Sequence, residues 1–239
     1  MLLLDSYRNI EDLIQFVFSF SNHYRRNLKI TYVFDFNWMK QSALAGATGT
    51  TNAALVNAER YVLKDFEATE DKIRGIVNTC LKDISVNFSV DIDASKNSRI
   101  DIINNEMQKN PDLMVLISNH QNYTEITRGL VSYPQLIEHV KYPVMIIPDN
   151  VQQVAFHNVV YISNYNPEDI RSLKHLSNFM KQSEKTHITI LHNERNFDFH
   201  AKLKWTGFQD LVHSEIDDNA NVDFSLKKEK DFIKEYERI

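Results

Sequence analysis

The 239-residue sequence predicts an α/β protein: an open parallel sheet of five strands with helices on both faces, begun a second time before the chain ends. Three observations carry this. Short apolar runs without polar alternation recur between amphipathic stretches, as strands buried on both faces require. Strand-like and helix-like segments alternate, which is the pattern of parallel βαβ units. The start of the pattern then returns near residue 159.

Taken in order, Leu2-Leu3-Leu4 is a short apolar strand ending in Asp5-Ser6. Ile10, Leu13, Ile14, Val17 and Tyr24 follow at helical spacing. Glu11 and Asp12 lie in the first turn, where the helix dipole favours acids. Lys29–Phe34, rich in β-branched and aromatic residues, is the second strand. Residues 35–52 hold two of the five glycines and read as a loop. A helix is expected from Asn52 to Lys82, and the alternating Val86–Val90 is taken as the third strand. Asn97–Lys109 is helical, Asn110-Pro111 ends it, and Leu113–Ile117 is the fourth strand. Ser132-Tyr133-Pro134 combines a good cap with a first-turn proline and opens a helix to about Lys141. Pro143–Pro148 is the fifth strand and Asp149-Asn150 begins a linker.

The second part repeats this beginning. Val159–Tyr165 resembles Leu2–Tyr7, Glu168-Asp169 resembles Glu11-Asp12, and His187–His192 resembles Lys29–Phe34. Asp5 to Ser163 and Ile30 to Ile188 share an offset of 158, which reads as a tandem duplication. Val222–Leu226 is expected as a third strand and Lys230–Tyr236 as the next helix. The counterpart of residues 112–148 is not there, so 1–150 is expected to be a complete domain and 151–239 a C-terminally incomplete one.

Composition narrows the function classes. The net charge is −5 and the basic pairs (Arg25-Arg26, Lys227-Lys228) are short, so no nucleic-acid footprint is expected. Cys80 is the single cysteine and falls in an apolar helical stretch, so it reads as a buried small hydrophobe in a reducing compartment. Met1–Asp5 lacks the basic start of a signal peptide, and no apolar run reaches the roughly 18–20 residues of a membrane span. A cytoplasmic protein without membrane contact is expected.

The chemical motifs are sparse. Gly46–Thr51 is glycine-containing, but no lysine follows and no strand immediately precedes, so it is a loop and no Walker sequence. His187, His192 and His200 lack ligand spacing, and no His-Glu-x-x-His or paired cysteines exist, so no metal is expected. His120 sits beyond the fourth strand, where open α/β sheets place ligands, and reads as a polar loop histidine. No Gly-x-Ser-x-Gly elbow appears, and Asp5 and Asp112 fall at opposite ends of their strands. No catalytic residue is therefore assigned. A response-regulator receiver is rejected, because Asp5 has no acidic neighbour and Pro148-Asp149 stands where its lysine belongs.

Leu2-Leu3-Leu4-Asp5-Ser6, Ile30–Val33, Pro111–Val115 and Tyr142-Pro143-Val144-Met145-Ile146-Ile147-Pro148, in this order and spacing, resemble the universal stress protein family. The resemblance covers residues 1–148 and, more faintly, 156–239. It implies a stress-response regulatory or binding protein. ATP-binding members carry Gly-x-x-Gly after strand four and then Gly-Ser or Gly-Thr. Residues 118–132 hold only Gly129, and Glu125 adds negative charge, so loss of the ATP loop is expected. The resemblance implies Asp5, the main chain near Val33, Asn119 and Gly129 as nucleotide contacts if ATP or AMP does bind. It also implies a homodimer through the last strand of the first domain, Val144, Met145, Ile146 and Ile147.

Overall fold

The structure is a computed structural model that describes residues 1–4, 10–34, 52–118, 133–140, 143–148, 151, 154–180, 186–194, 198–216 and 221–228. The chain divides into two compact units, Met1–Gln152 and Gln153–Ile239. In the first, β1 (Leu2–Leu4), β2 (Leu28–Val33), β3 (Val90–Ser95), β4 (Val115–Ser118) and β5 (Val144–Ile147) form one parallel sheet in the order β3-β2-β1-β4-β5. Helices α1 (Glu11–His23), α2 (Asn52–Asp83), α3 (Arg99–Lys109) and α4 (Tyr133–His139) connect them.

Leu2, Leu3 and Leu4 are almost wholly buried because β1 is the middle strand and both its faces are covered. Leu2 lies opposite Ile30 on one side and Leu116 on the other. Leu3 packs with Met1, Val33, Ile103, Met107 and Ile117 beneath α3 and α4. On the opposite face, Tyr32 of β2 stacks on Phe66 of α2 with ring centroids 5.2 Å apart. Burying each such side chain stabilises the fold by about 1.5–3 kcal/mol. Cys80 on α2 is buried as expected, and burial pushes its thiol pKa up.

The third strand is corrected. Residues 86–89 are not the strand; β3 begins at Val90 and runs in register with β2, from Leu28 opposite Val90 to Val33 opposite Ser95. The ladder, not the local alternation, decides this. Phe88 instead packs edge-on against Phe18 of α1, and Asn22 Oδ1 accepts the Asn87 N–H at 3.0 Å. As an edge strand, β3 turns Asp91 and Asp93 to solvent. Next, Ser98 caps α3, accepting the Asp101 N–H at 3.2 Å.

In the second unit, β6 (Asn158–Ile162), β7 (His187–Glu194) and β8 (Asn221–Lys228) form a parallel sheet in that order, joined by α5 (Pro167–Met180) and α6 (Phe199–Glu215). Leu173, Ile188, Ile190, Phe208, Val212 and Ile216 form its core. Helix α6 is not anticipated by the periodicity. Its outward face carries exposed Phe199, Leu203 and Leu211 opposite buried Phe208 and Val212, which blurs the two faces. The single offset of 158 is also corrected. Leu2 lies opposite Ile30, a step of 28 (30 − 2), whereas Val159 lies opposite Ile188, a step of 29 (188 − 159), so no single offset maps both strand pairs. The expected helix Lys230–Tyr236 and the loop 35–51 lie outside the described residues.

One charged pair ties the first sheet to its covering helix. Lys29 Nζ lies 3.0 Å from Glu106 of α3 and 3.6 Å from Asp93 of β3. Burial opposes ionisation of Glu106, but Lys29 and Lys109 outweigh it and hold the carboxyl below its ordinary 4.5. A carboxylate more acidic in the folded state contributes fully above that unfolded value and less as pH falls through its folded value. Glu106→Gln should therefore cost about 1 kcal/mol at pH 7. The difference from the unaltered protein should shrink as pH falls below 4.5, as read by urea unfolding across an acidic pH series.

Candidate functional site

Parallel α/β sheets offer ligands the crevice outside the carboxyl ends of their strands, above all where the strand order reverses. In the first unit that point lies between β1 and β4. Of the residues expected there, Asp5, Asn119 and Gly129, together with His120, lie outside the described residues. Val33 ends β2, but its side chain is in the core, 1% exposed. Only its main chain is left to meet a ligand, and it already pairs with Ser95. At the opposite edge of this sheet, Ser21, Asn22, Arg25, Asn87 and Phe88 line a cavity of about 270 Å³. The Asn22 amide there is committed to Ser85 O at 3.0 Å and to the Asn87 N–H.

In the second unit the carboxyl ends of β6 and β7 carry a connected polar and aromatic cluster. Its centre is Asp169, in the first turn of α5. Asp169 Oδ1 accepts from the Tyr161 hydroxyl at 3.0 Å. Its Oδ2 accepts from Ser163 Oγ at 2.7 Å, the Asn164 N–H at 3.0 Å and the Asn166 N–H at 3.1 Å. The local sequence explains the arrangement. Asn166 precedes Pro167 at the helix start, and an acid three residues after the cap can reach back to its N–H. Burial, reinforced by Asp169, pushes the Tyr161 phenol up to about 12.

The loop so held presents Tyr165 in a left-handed conformation, φ 60°, which costs a non-glycine residue roughly 1–2 kcal/mol. Two contacts offset this. The Tyr165 N–H donates to Ser163 Oγ at 3.1 Å, and its ring stacks on His192 of β7 at 3.7 Å between centroids. Trp205 and Phe208 of α6 complete the aromatic wall, 5.7 and 5.4 Å from Tyr165. Burial, then the Glu194 charge, raises the Tyr165 pKa, and its hydroxyl is buried without a hydrogen-bond partner among the described residues.

The geometry excludes a serine–histidine nucleophile. His192 Nδ1 lies 2.6 Å from the carbonyl oxygen of Ser163, not from its hydroxyl. A carbonyl only accepts, so Nδ1 carries the proton and Nε2 faces Glu194 at 3.6 Å. The Ser163 hydroxyl donates to Asp169 and accepts from the Tyr165 N–H, so it makes no hydrogen bond to the imidazole. What the arrangement does is fix a loop at the mouth of the sheet. Among the described residues no group of His, Cys, Asp and Glu could hold a metal ion.

Sequence reasoning singled out Ser163, Asp169 and His192 only as repeat or spacing markers. The Asn-Pro-Glu-Asp cap was a usable signal for Asp169. Nothing local signals that Tyr165 meets His192 and Trp205, since these come from three separate elements. Asp169→Ala removes an acceptor shared by four donors. It should lower the stability of the second unit by about 2–4 kcal/mol, read by urea unfolding followed through Trp205 fluorescence.

No protein-family model and no curated protein matches this chain. Among solved structures, it is similar to the crystal structure of a universal stress protein from Archaeoglobus fulgidus DSM 4304. The identity is 12%, and the match covers 99% of this chain and 81% of that one. With a TM-score of 0.52, what the two share is the fold, so this chain has the universal-stress-protein-like α/β architecture.

Proposed function

We propose that this chain is a universal-stress-protein-like regulatory or binding protein of the stress response, working inside the cell without catalysis and without the family's ATP loop. The observation that carries the reading is that three polar groups at the ends of β6 and β7 are committed to holding a loop. Asp169, the Ser163 hydroxyl and His192 Nδ1 each hold the loop 163–166 in place. The fold likeness and the single glycine between residues 118 and 132 point the same way. The second unit, with β6, β7 and β8 in the relation of β1, β2 and β3, is in this reading a second copy of the same strand–helix–strand pattern.

A scaffold of this kind acts by association, and β5 is the natural place. It pairs only with β4 among the described strands, and Ile146 on it is 39% exposed. An apolar edge with unpaired main-chain groups invites a second copy. A homodimer through Val144–Ile147 should be seen by light scattering at tens of micromolar, a typical range for modest interfaces. Ile146→Lys should shift it to monomer; a variant that stays dimeric would refute β5 as the contact.

The second reading is an ATP or AMP sensor using Asp5, the main chain at Val33, Asn119 and Gly129, favoured by the reversal of strand order between β1 and β4. Thermal melting with millimolar ATP, ADP and AMP plus magnesium separates the two. A ligand at 100 times its Kd stabilises by about 2.7 kcal/mol, which raises the melting temperature by several degrees. No shift is expected. A clear shift, abolished by Asp5→Ala, would replace the scaffold reading with the sensor.

A further inference from the structure

Two described residues other than glycine hold a left-handed backbone, Tyr165 and Arg25, and the fold accounts for only the first. Tyr165 is compensated by its hydrogen bond to Ser163 and by its ring contacts. Arg25 stands at φ 49°, just beyond the end of α1. The turn there is a Schellman motif. The Arg26 N–H donates to Ser21 O at 2.9 Å and the Arg25 N–H to Asn22 O at 3.3 Å. That motif favours glycine or asparagine at the position Arg25 fills. The arginine side chain returns nothing to the fold: it is exposed and makes no ion pair or hydrogen bond among the described residues. The helix dipole does not require it either, because Arg26 beside it carries the same charge.

What Arg25 does line is the cavity of about 270 Å³ at the amino ends of β2 and β3, with Ser21, Asn22, Asn87 and Phe88. Its wall is fixed in advance. Asn22 holds Ser85 O and the Asn87 N–H, and Asn27 Oδ1 accepts the Ser89 N–H at 3.2 Å. Phe88 is anchored edge-on against Phe18. Two lining side chains keep their donors unpaired among the described residues, the Arg25 guanidinium and the Asn87 amide, and no lining residue is acidic. A guanidinium fork beside an amide suits the paired oxygens of a carboxylate or a phosphate. The volume falls just below the roughly 300–1,000 Å³ of pockets for drug-sized ligands, so an anion with a small organic body fits. Phe88 gives that body an aromatic neighbour.

We propose that this cavity is a binding site for a small organic oxyanion, a carboxylate or a phosphate monoester, gripped by Arg25 and Asn87. Strain held at an unpaired cation, with no return to the fold, marks a residue that serves a ligand. The cavity lies at the opposite end of the strands from the nucleotide contacts of the sensor reading, so it stands or falls independently of them.

Isothermal titration of the full chain with benzoate and with phenyl phosphate tests the site. At least one probe should bind saturably at millimolar concentration, and the tighter of the two assigns the headgroup. Arg25→Gly should raise the melting temperature of the ligand-free protein, because glycine relieves the left-handed backbone. The same change should weaken the anion roughly tenfold or more, by removing its charged donor. Asn87→Asp keeps the main-chain bond to Asn22 and should weaken binding likewise, by setting a carboxylate against the anion. Unchanged far-UV circular dichroism checks that each variant folds. Absence of saturable binding by both probes would overturn the proposal, as would a variant that binds as tightly as the unaltered chain. A lower melting temperature for Arg25→Gly would overturn it too, since Arg25 would then serve the fold.

Discussion

Everything in the first unit depends on the burial of a three-residue strand. Leu2, Leu3 and Leu4 are too few to stand alone, and their main-chain groups need partners on both sides. β2 supplies one side and β4 the other, and this central position sets the strand order. Because the neighbours are parallel, each connection crosses over a face of the sheet, and the helices that cover Leu3 on one side and Leu2 on the other follow. The reversal of strand order between β1 and β4 is thus a consequence of topology.

The second unit starts from the same strand–helix–strand logic but spends its polar groups differently. A single carboxylate, Asp169, gathers two hydroxyls and two main-chain N–H groups and so joins strand end, loop and helix start. The left-handed Tyr165 is tolerable because His192, Trp205 and Phe208 receive its ring. Order at the mouth of this sheet is obtained by consuming the acid, the hydroxyl and one imidazole nitrogen that a catalytic site would need free. No described helix is long and apolar enough to cross a membrane.

Helix α6 shows how a second apolar face changes what a sequence reveals. Trp205, Phe208 and Val212 face the sheet, while Phe199, Leu203 and Leu211 face outward. A helix with one apolar stripe advertises itself by its period, and one with two does not. The feature that hid the helix from sequence reasoning is this second, exposed apolar face.

The sequence by itself determined the class and order of most elements. Apolar runs without alternation can only be strands covered on both faces, and caps such as Ser98 and Asn166 announce helix starts through local hydrogen bonds. These are short-range effects, complete within a few residues. Tertiary structure alone decided where β3 begins, because its register is set by pairing with β2 rather than by its own pattern. It also decided that the pairing step from β1 to β2 differs by one residue from that of β6 to β7, since register is invisible until the strands pair. The meeting of Tyr165, His192 and Trp205 belongs to the same class. Side chains far apart in sequence share a site only once the crossovers bring their strand ends and helix face together.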